Sequence, residues 1–322
     1  TAIEADVEIS EAIDFCTYYA SSLEEWSAVE TLELSGKGPV LVTPPWNFPC
    51  AIPLGGVVAA LAAGNSVIFK PAPEVTMTAW KTAEIFYAAG VDKKVVQFIA
   101  CEDNPFGSML IKDERISSVI LTGATETAEL FVKMRPGLDL MAETGGKNVL
   151  IATDLCDRDL AAKDIIQSAF GHAGQKCSAC SIAILEKNLY QDKHFIALLK
   201  DTAASMKVGS AYDQATLINP LINPPGEKLK NALTTLEPGE EWLLEPQQID
   251  NNPHLWSPGI KLNVDPQGVT FKTEFFGPVL ALVQAEDLDE AIALAKDTPY
   301  GLTGGIHTLD NREQPQWIDT IE

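Results

Sequence analysis

Residues 39–70 read PVLVTPPWNFPCAIPLGGVVAALAAGNSVIFK, and this stretch decides the fold. Val40-Leu41-Val42 is a short apolar run with β-branched residues, closed by Pro44 and Pro45, and it reads as a buried strand. Residues 50–63 form a longer, Ala-rich run that stops at Gly64-Asn65, the pattern of a helix with a left-handed exit. Val67-Ile68-Phe69 is a second strand. Strand, helix and strand within about thirty residues make one unit of a parallel sheet, because parallel neighbours need a crossover between them.

The same rhythm continues outward. Downstream, the pattern predicts a helix at 76–89 ending at Gly90, a strand at 95–99, a short helix at 105–112, a strand at 119–121 and a helix at 125–133. Upstream, Ile9, Ala12, Ile13, Cys16, Tyr19, Ala20 and Leu23 recur at helical spacing over residues 9–29. After Gly145-Gly146 a second series begins, with a strand at 149–152, a helix at 160–170, a strand at 182–185 and a helix at 193–206. A Pro- and Gly-rich region follows at 219–268, then strand material at 271–285 and a helix at 288–295. The expected fold class is α/β: a Rossmann-like parallel-sheet cofactor domain over residues 1–146 and a second α/β catalytic domain over 147–322.

Charge and composition narrow the function classes. The chain holds 23 Lys plus Arg against 45 Asp plus Glu, a formal charge of −22 that repels phosphate backbones and argues against a nucleic-acid partner. No apolar run reaches the ~20 residues of a membrane-spanning helix, so no membrane partner is expected. Six cysteines at 16, 50, 101, 156, 177 and 180 form no regular framework, which suits a reducing, cytoplasmic setting. Cys177 and Cys180 make a C-x-x-C pair, yet the histidines at 172, 194, 254 and 307 supply no matching spacing, and no metal is expected. Thr1 is not a Met and Glu322 falls inside a helical pattern, so both ends read as cut.

Five motifs can carry chemistry. Gly174-Gln175-Lys176-Cys177-Ser178 leaves a helix through glycines and presents a thiol, either as a nucleophile or as a buried structural cysteine. Pro45-Trp46-Asn47-Phe48-Pro49 is a turn stiffened by two prolines, whose amide suits an oxyanion donor or a turn cap. Glu143-Thr144-Gly145-Gly146-Lys147 sets a carboxylate beside a hinge-like Gly-Gly pair, as a general base or a solvated strand end. Thr122-Gly123-Ala124-Thr125-Glu126 ends a strand and opens a helix, a place for an anion, although it is not a G-x-G-x-x-G fingerprint. Thr273-Glu274-Phe275-Phe276-Gly277-Pro278 offers a carboxylate and a flat ring, or an ordinary strand end with a core phenylalanine.

Taken in order, Asn47, Lys70 in F-K-P-A, Gly123, Glu143, Cys177 and Glu274 resemble the aldehyde dehydrogenase family from about residue 36 onward. In finer detail, Ser168-Ala169-Phe170-Gly171, the Cys177 segment, and the runs 236–242 and 252–259 look like the branch that oxidises L-glutamate γ-semialdehyde, the open form of 1-pyrroline-5-carboxylate. That resemblance implies an NAD-dependent enzyme, with NADP not excluded, that makes L-glutamate. It implies Cys177 as nucleophile, Asn47 as oxyanion donor and Glu143 as base. Thr43, Pro44, Trp46, Lys70, Gly123, Ala124, Glu274 and Phe276 would bind the cofactor, and Phe48 and Ser178 the substrate. It also implies a homo-oligomer and, in some relatives, fusion to a proline dehydrogenase domain. The chain departs from the family at Pro73, where a ribose-binding glutamate is usual, at Ala124 in place of a serine, and at Ala128 in place of a glycine. Dehydrogenation of another aldehyde, transfer to coenzyme A, and a silent binding domain are the competing readings.

Overall fold

A computed structural model describes residues 1–321, and its contacts divide the chain into a unit from Ile3 to Thr144 and a unit from Gly145 onward. In the first, α1 (Ala2–Ser27) precedes β1 (Pro39–Thr43), α2 (Ala51–Ala62), β2 (Ser66–Phe69), α3 (Thr76–Ala88) and β3 (Val96–Phe98). Then come α4 (Ser108–Lys112), β4 (Ser118–Thr122), α5 (Thr125–Met134) and β5 (Leu140–Glu143). The five strands are parallel in the order β3-β2-β1-β4-β5. The chain therefore steps outward from β1 to β3, returns, and steps outward again from β4, leaving a topological switch between β1 and β4.

Strand alternation explains the two-faced core. Val40 and Val42 of β1 pack with Val67, Phe69 and the α2 and α3 residues Ala51, Leu54, Val57, Ala79 and Ala83, while Leu41 points to the opposite face with Val119, Leu121 and Ile111. A parallel sheet buried on both sides needs apolar residues at every position of its central strand, which is why Val40-Leu41-Val42 is uninterrupted. Thr43 closes the strand by donating its Oγ1 hydrogen to Ile120 O at 3.2 Å, fastening the β1 exit to β4.

The second unit holds β6 (Asn148–Ala152), α6 (Arg158–Phe170), β7 (Cys180–Glu186), α7 (Lys187–Gln191) and α8 (Lys193–Ala204). It continues with α9 (Glu227–Thr234), β8 (Glu241–Leu244), β9 (Gly259–Leu262), α10 (Val269–Lys272), β10 (Val279–Ala285), α11 (Leu288–Lys296), β11 (Gly304–His307) and α12 (Glu313–Thr320). The sheet runs β11-β6-β7-β10-β9-β8, parallel throughout except for the β8–β9 edge pair. Helices α6 and α8 cover one face and α11 the other. Several stretches differ from the sequence reading, among them the unforeseen β11 and α7. Residues 219–268 carry α9, β8 and β9, and the strand expected over 271–285 begins only at Val279, after the single-turn α10. The Glu274 motif thus leads into a strand and does not end one. Among the described residues no helix is long and apolar enough to cross a membrane.

One contact fixes how α2 begins. The Glu8 carboxylate of α1 accepts from the backbone N–H groups of Cys50 at 2.6 Å and Ala51 at 3.1 Å, which no side chain of α2 itself caps. Glu8→Ala is expected to cost about 1–2 kcal/mol, the scale of a lost helix cap, read as a lower urea midpoint at unchanged m-value.

Candidate active site

In the first unit, the candidate residues gather at the carboxyl ends of the parallel strands. From Thr43 the chain enters the proline-flanked turn 44–49, and Asn47 is held there with only 7% of its surface exposed. Across the switch, β4 gives way to Gly123, whose N–H donates to Glu143 O at 3.1 Å and so joins the ends of β4 and β5. Ala124 enters α5 in an extended conformation, and no side chain caps that helix. The Thr127 N–H closes the first turn on Ala124 O at 3.0 Å, and no side chain caps the N–H groups before it. Lys70 lies just past β2, is 7% exposed, and pairs with Asp103 at 2.7 Å. Glu143 is the exposed last residue of β5.

In the second unit the decisive element is the turn from Gly145 into β6. The Gly146 N–H donates to Glu274 Oε1 at 3.0 Å. Two residues on, the Asn148 amide donates through Nδ2 to Cys177 O at 2.6 Å and to Ala179 O at 3.0 Å. One short segment therefore braces both the thiol loop and the Glu274 turn. Gly146 has to be glycine, because a Cβ there would stand 2.7 Å from Cys177 O and also crowd the Asn148 amide. Neither Asn148 nor this role is legible in the sequence, since its partners lie 29 and 31 residues away.

The thiol loop is built by a sharp departure from helix geometry. After α6, His172 and Ala173 take φ of 55° and 53°, and Gly174 takes φ of 70° where a side chain would overlap Gly277 O. The two cysteines of the C-x-x-C pair then separate in character. Cys180 is buried, donates to Ile182 O at 3.3 Å, and burial pushes its thiol up to about 12. Cys177 is part-exposed and Ser178 beside it is exposed. A resolving dithiol needs two reachable sulfurs, and only Cys177 is reachable. Phe276 also sits at φ 56°, an uncommon conformation for an aromatic residue, between the turn at Glu274 and Gly277 packed on Leu229.

Lys147 is the buried cation of this turn. It is 3% exposed, with its ammonium 4.8 Å from the centre of the Phe275 ring. Burial lowers its pKa to about 7, against the opposing pull of Glu274 and Cys180. Together with Asn148, Thr298, Tyr300 and Trp317 it lines a cavity of about 360 Å³ at the start of β6 and β11.

The chain is similar to several known proteins. Residues 1–322 match the aldehyde dehydrogenase family. The chain is 34% identical over 340 residues to the 1-pyrroline-5-carboxylate dehydrogenase of Staphylococcus saprophyticus, with 99% of this chain and 65% of that protein covered. Among solved structures it is similar to Proline Utilization A (PutA) from Corynebacterium freiburgense, at 45% identity and a TM-score of 0.97, covering 100% of this chain and 33% of that one. It is also similar to the Thermus 1-pyrroline-5-carboxylate dehydrogenase solved with bound NAD, at 31% identity and a TM-score of 0.90, covering 99% of this chain and 65% of that one. The chain thus spans about 65% of the length of the curated relatives it matches.

The depressed Lys147 pKa has a sign that can be checked. Folding shifts it from the ordinary 10.5 to about 7, so between these values the unfolded chain binds more protons and stability rises with pH. Lys147→Met removes that contribution. The stability difference, wild type minus variant, is expected to increase steadily in urea melts taken from pH 7 upward; a flat difference contradicts the assigned shift.

Proposed function

We propose, since the chain belongs to the aldehyde dehydrogenase family, that its protein oxidises L-glutamate γ-semialdehyde to L-glutamate with NAD as acceptor. The observation that carries the reading is the Cys177 loop: a reachable thiol on a strained turn, its carbonyl locked by Asn148, beside a second cysteine that burial keeps protonated. Rigid presentation of one soft nucleophile is what covalent capture of an aldehyde requires.

The chemistry assigned to the residues runs as follows. The Cys177 sulfur bonds to the aldehyde carbon, and the resulting oxyanion accepts from the Asn47 side-chain amide and the Cys177 backbone N–H. NAD bound there would supply the hydride acceptor, and loss of the hydride from the tetrahedral carbon would leave a thioester on Cys177. Glu143 then removes a proton from water, which attacks the thioester and releases the carboxylate and the thiol. Phe48 flanks the aldehyde chain and Ser178, already solvent-facing, donates to the substrate's α-carboxylate. The first unit fits a dinucleotide because its strand order leaves a switch between β1 and β4, with the uncapped α5 start beside it. Thr43, Pro44, Trp46, Lys70, Gly123 and Ala124 are assigned to hold it there, and Glu274 and Phe276 to hold its nicotinamide half.

The remaining assignments belong to the whole protein. We assign it to the cytoplasm, as a homo-oligomer, with residues 1–146 as the NAD-binding domain and 147–322 as the catalytic domain. The PutA neighbours support a chain that also carries a proline dehydrogenase domain. Incubated with NAD and 1-pyrroline-5-carboxylate, the protein is expected to form NADH, and Cys177→Ala to lower kcat at least about a thousandfold. Turnover of simple aldehydes without this substrate keeps the family chemistry and discards the semialdehyde; silence with every aldehyde discards both.

A further inference from the structure

The end of β2 carries an ion pair between a buried lysine and an exposed carboxylate. Lys70 is held almost completely inside, while the side chain of its partner Asp103 is 73% exposed. Asp103 comes from the turn after β3, and that turn is tied to β2 from several directions. Ile99 N–H donates to Phe69 O at 2.9 Å, extending the β2–β3 ladder past its last strand residues. Gly107 N–H donates to Glu102 O at 3.0 Å, and the Ser108 hydroxyl donates to Asp103 O at 3.3 Å. A Cβ on Gly107 would stand 3.2 Å from Lys70 Cε, so the lysine stem lies directly against the same turn. The carboxylate is thus fixed at its inner oxygen by Lys70 and open to solvent around the rest.

Position gives this pairing a meaning. In a sheet ordered 3-2-1-4-5, the end of the second strand is where the adenosine ribose of a dinucleotide lies, and the side chains there distinguish a ribose hydroxyl from a 2′-phosphate. A carboxylate accepts from the two ribose hydroxyls and repels a 2′-phosphate, whereas an unpaired lysine attracts the phosphate. The chain immediately after β2 offers Pro71, Ala72 and Pro73, none with a charge, and Glu74 points out from an exposed turn. Asp103 supplies the missing carboxylate from the neighbouring strand end. By pairing with Lys70 it also neutralises a cation that would otherwise attract a 2′-phosphate.

We propose that Asp103 selects NAD over NADP by presenting its carboxylate to the adenosine ribose and by occupying Lys70. The proposal rests on the reading that this end of the first sheet binds the dinucleotide. Its test is equilibrium binding of NAD and NADP to the protein and to Asp103→Asn by titration calorimetry, with no substrate and no turnover. The wild type is expected to bind NAD at least about tenfold more tightly than NADP, the effect of about 1.4 kcal/mol of charge repulsion. Asp103→Asn keeps the shape of the side chain and lies at an exposed position, so the fold is retained. The variant is expected to bind NADP at least about fivefold more tightly than the wild type does, and NAD more weakly, closing most of the gap. If NAD binds but the NAD-to-NADP ratio is the same in wild type and variant, Asp103 is not the selector and the cofactor reading stands. If the wild type prefers NADP, the proposal is overturned outright. If neither dinucleotide binds, the cofactor reading falls and takes the proposal with it.

Discussion

The candidate site depends on a bare stretch of backbone. Gly145 and Gly146 have no side chains, so the Glu274 carboxylate can close onto the Gly146 N–H and the Cys177 carbonyl can approach the same turn. Any Cβ at either position would enter space already held by Glu274, Asn148 or Cys177. Two segments with no sequence relation to each other are thereby fixed against one short reference point. The constraint is mutual: Asn148 spends both amide hydrogens on carbonyls at either side of Ser178, so the thiol loop has little freedom left. Rigidity of this kind favours a single orientation of the nucleophile.

Burial, and not any special partner, sorts the ionisable groups around this turn. The same desolvation that raises the Cys180 thiol lowers the Lys147 ammonium, because each is disfavoured in its charged form. Both lie within the interior of the second unit, whereas Cys177 stays at its margin. The formal charge of −22 acts differently, as a diffuse surface property. It does not prevent local N–H-rich places such as the start of α5, since those act over a few ångströms.

How much of this was legible in the sequence follows from the range of each interaction. The pattern at 39–70 gives the strands and the crossover helix because period and punctuation are local, and the observed β1, α2 and β2 begin and end within a residue of the expectation. Strand β11 is invisible as Gly304-Gly305-Ile306-His307, since two glycines carry no apolar pattern and only the pairing with β6 makes them a strand. Likewise α9, β8 and β9 emerge from a Pro- and Gly-rich stretch because tertiary contacts, such as the buried Lys261–Glu240 pair at 2.9 Å, organise it. The motif residues stood out individually in the sequence. What braces them did not: Asn148 and Asp103 look like ordinary polar residues until the fold brings their partners close.

The register of the second sheet has a consequence for how the chain is made. Strand β6 lies between β7 and β11, and Val149 stands opposite Gly304. The difference, 304 − 149, is 155 residues. The first unit has all its strands once Thr144 has been synthesised, and a domain emerging first folds first. The turn at Gly145–Asn148, by contrast, feeds an inner strand whose outer neighbour is translated long afterward. During synthesis that strand edge stays open, and closure of a contact this distant in sequence is slow. The outer edge of β6 therefore stays unpaired until Gly304–His307 has been made, long after the first unit has all its strands.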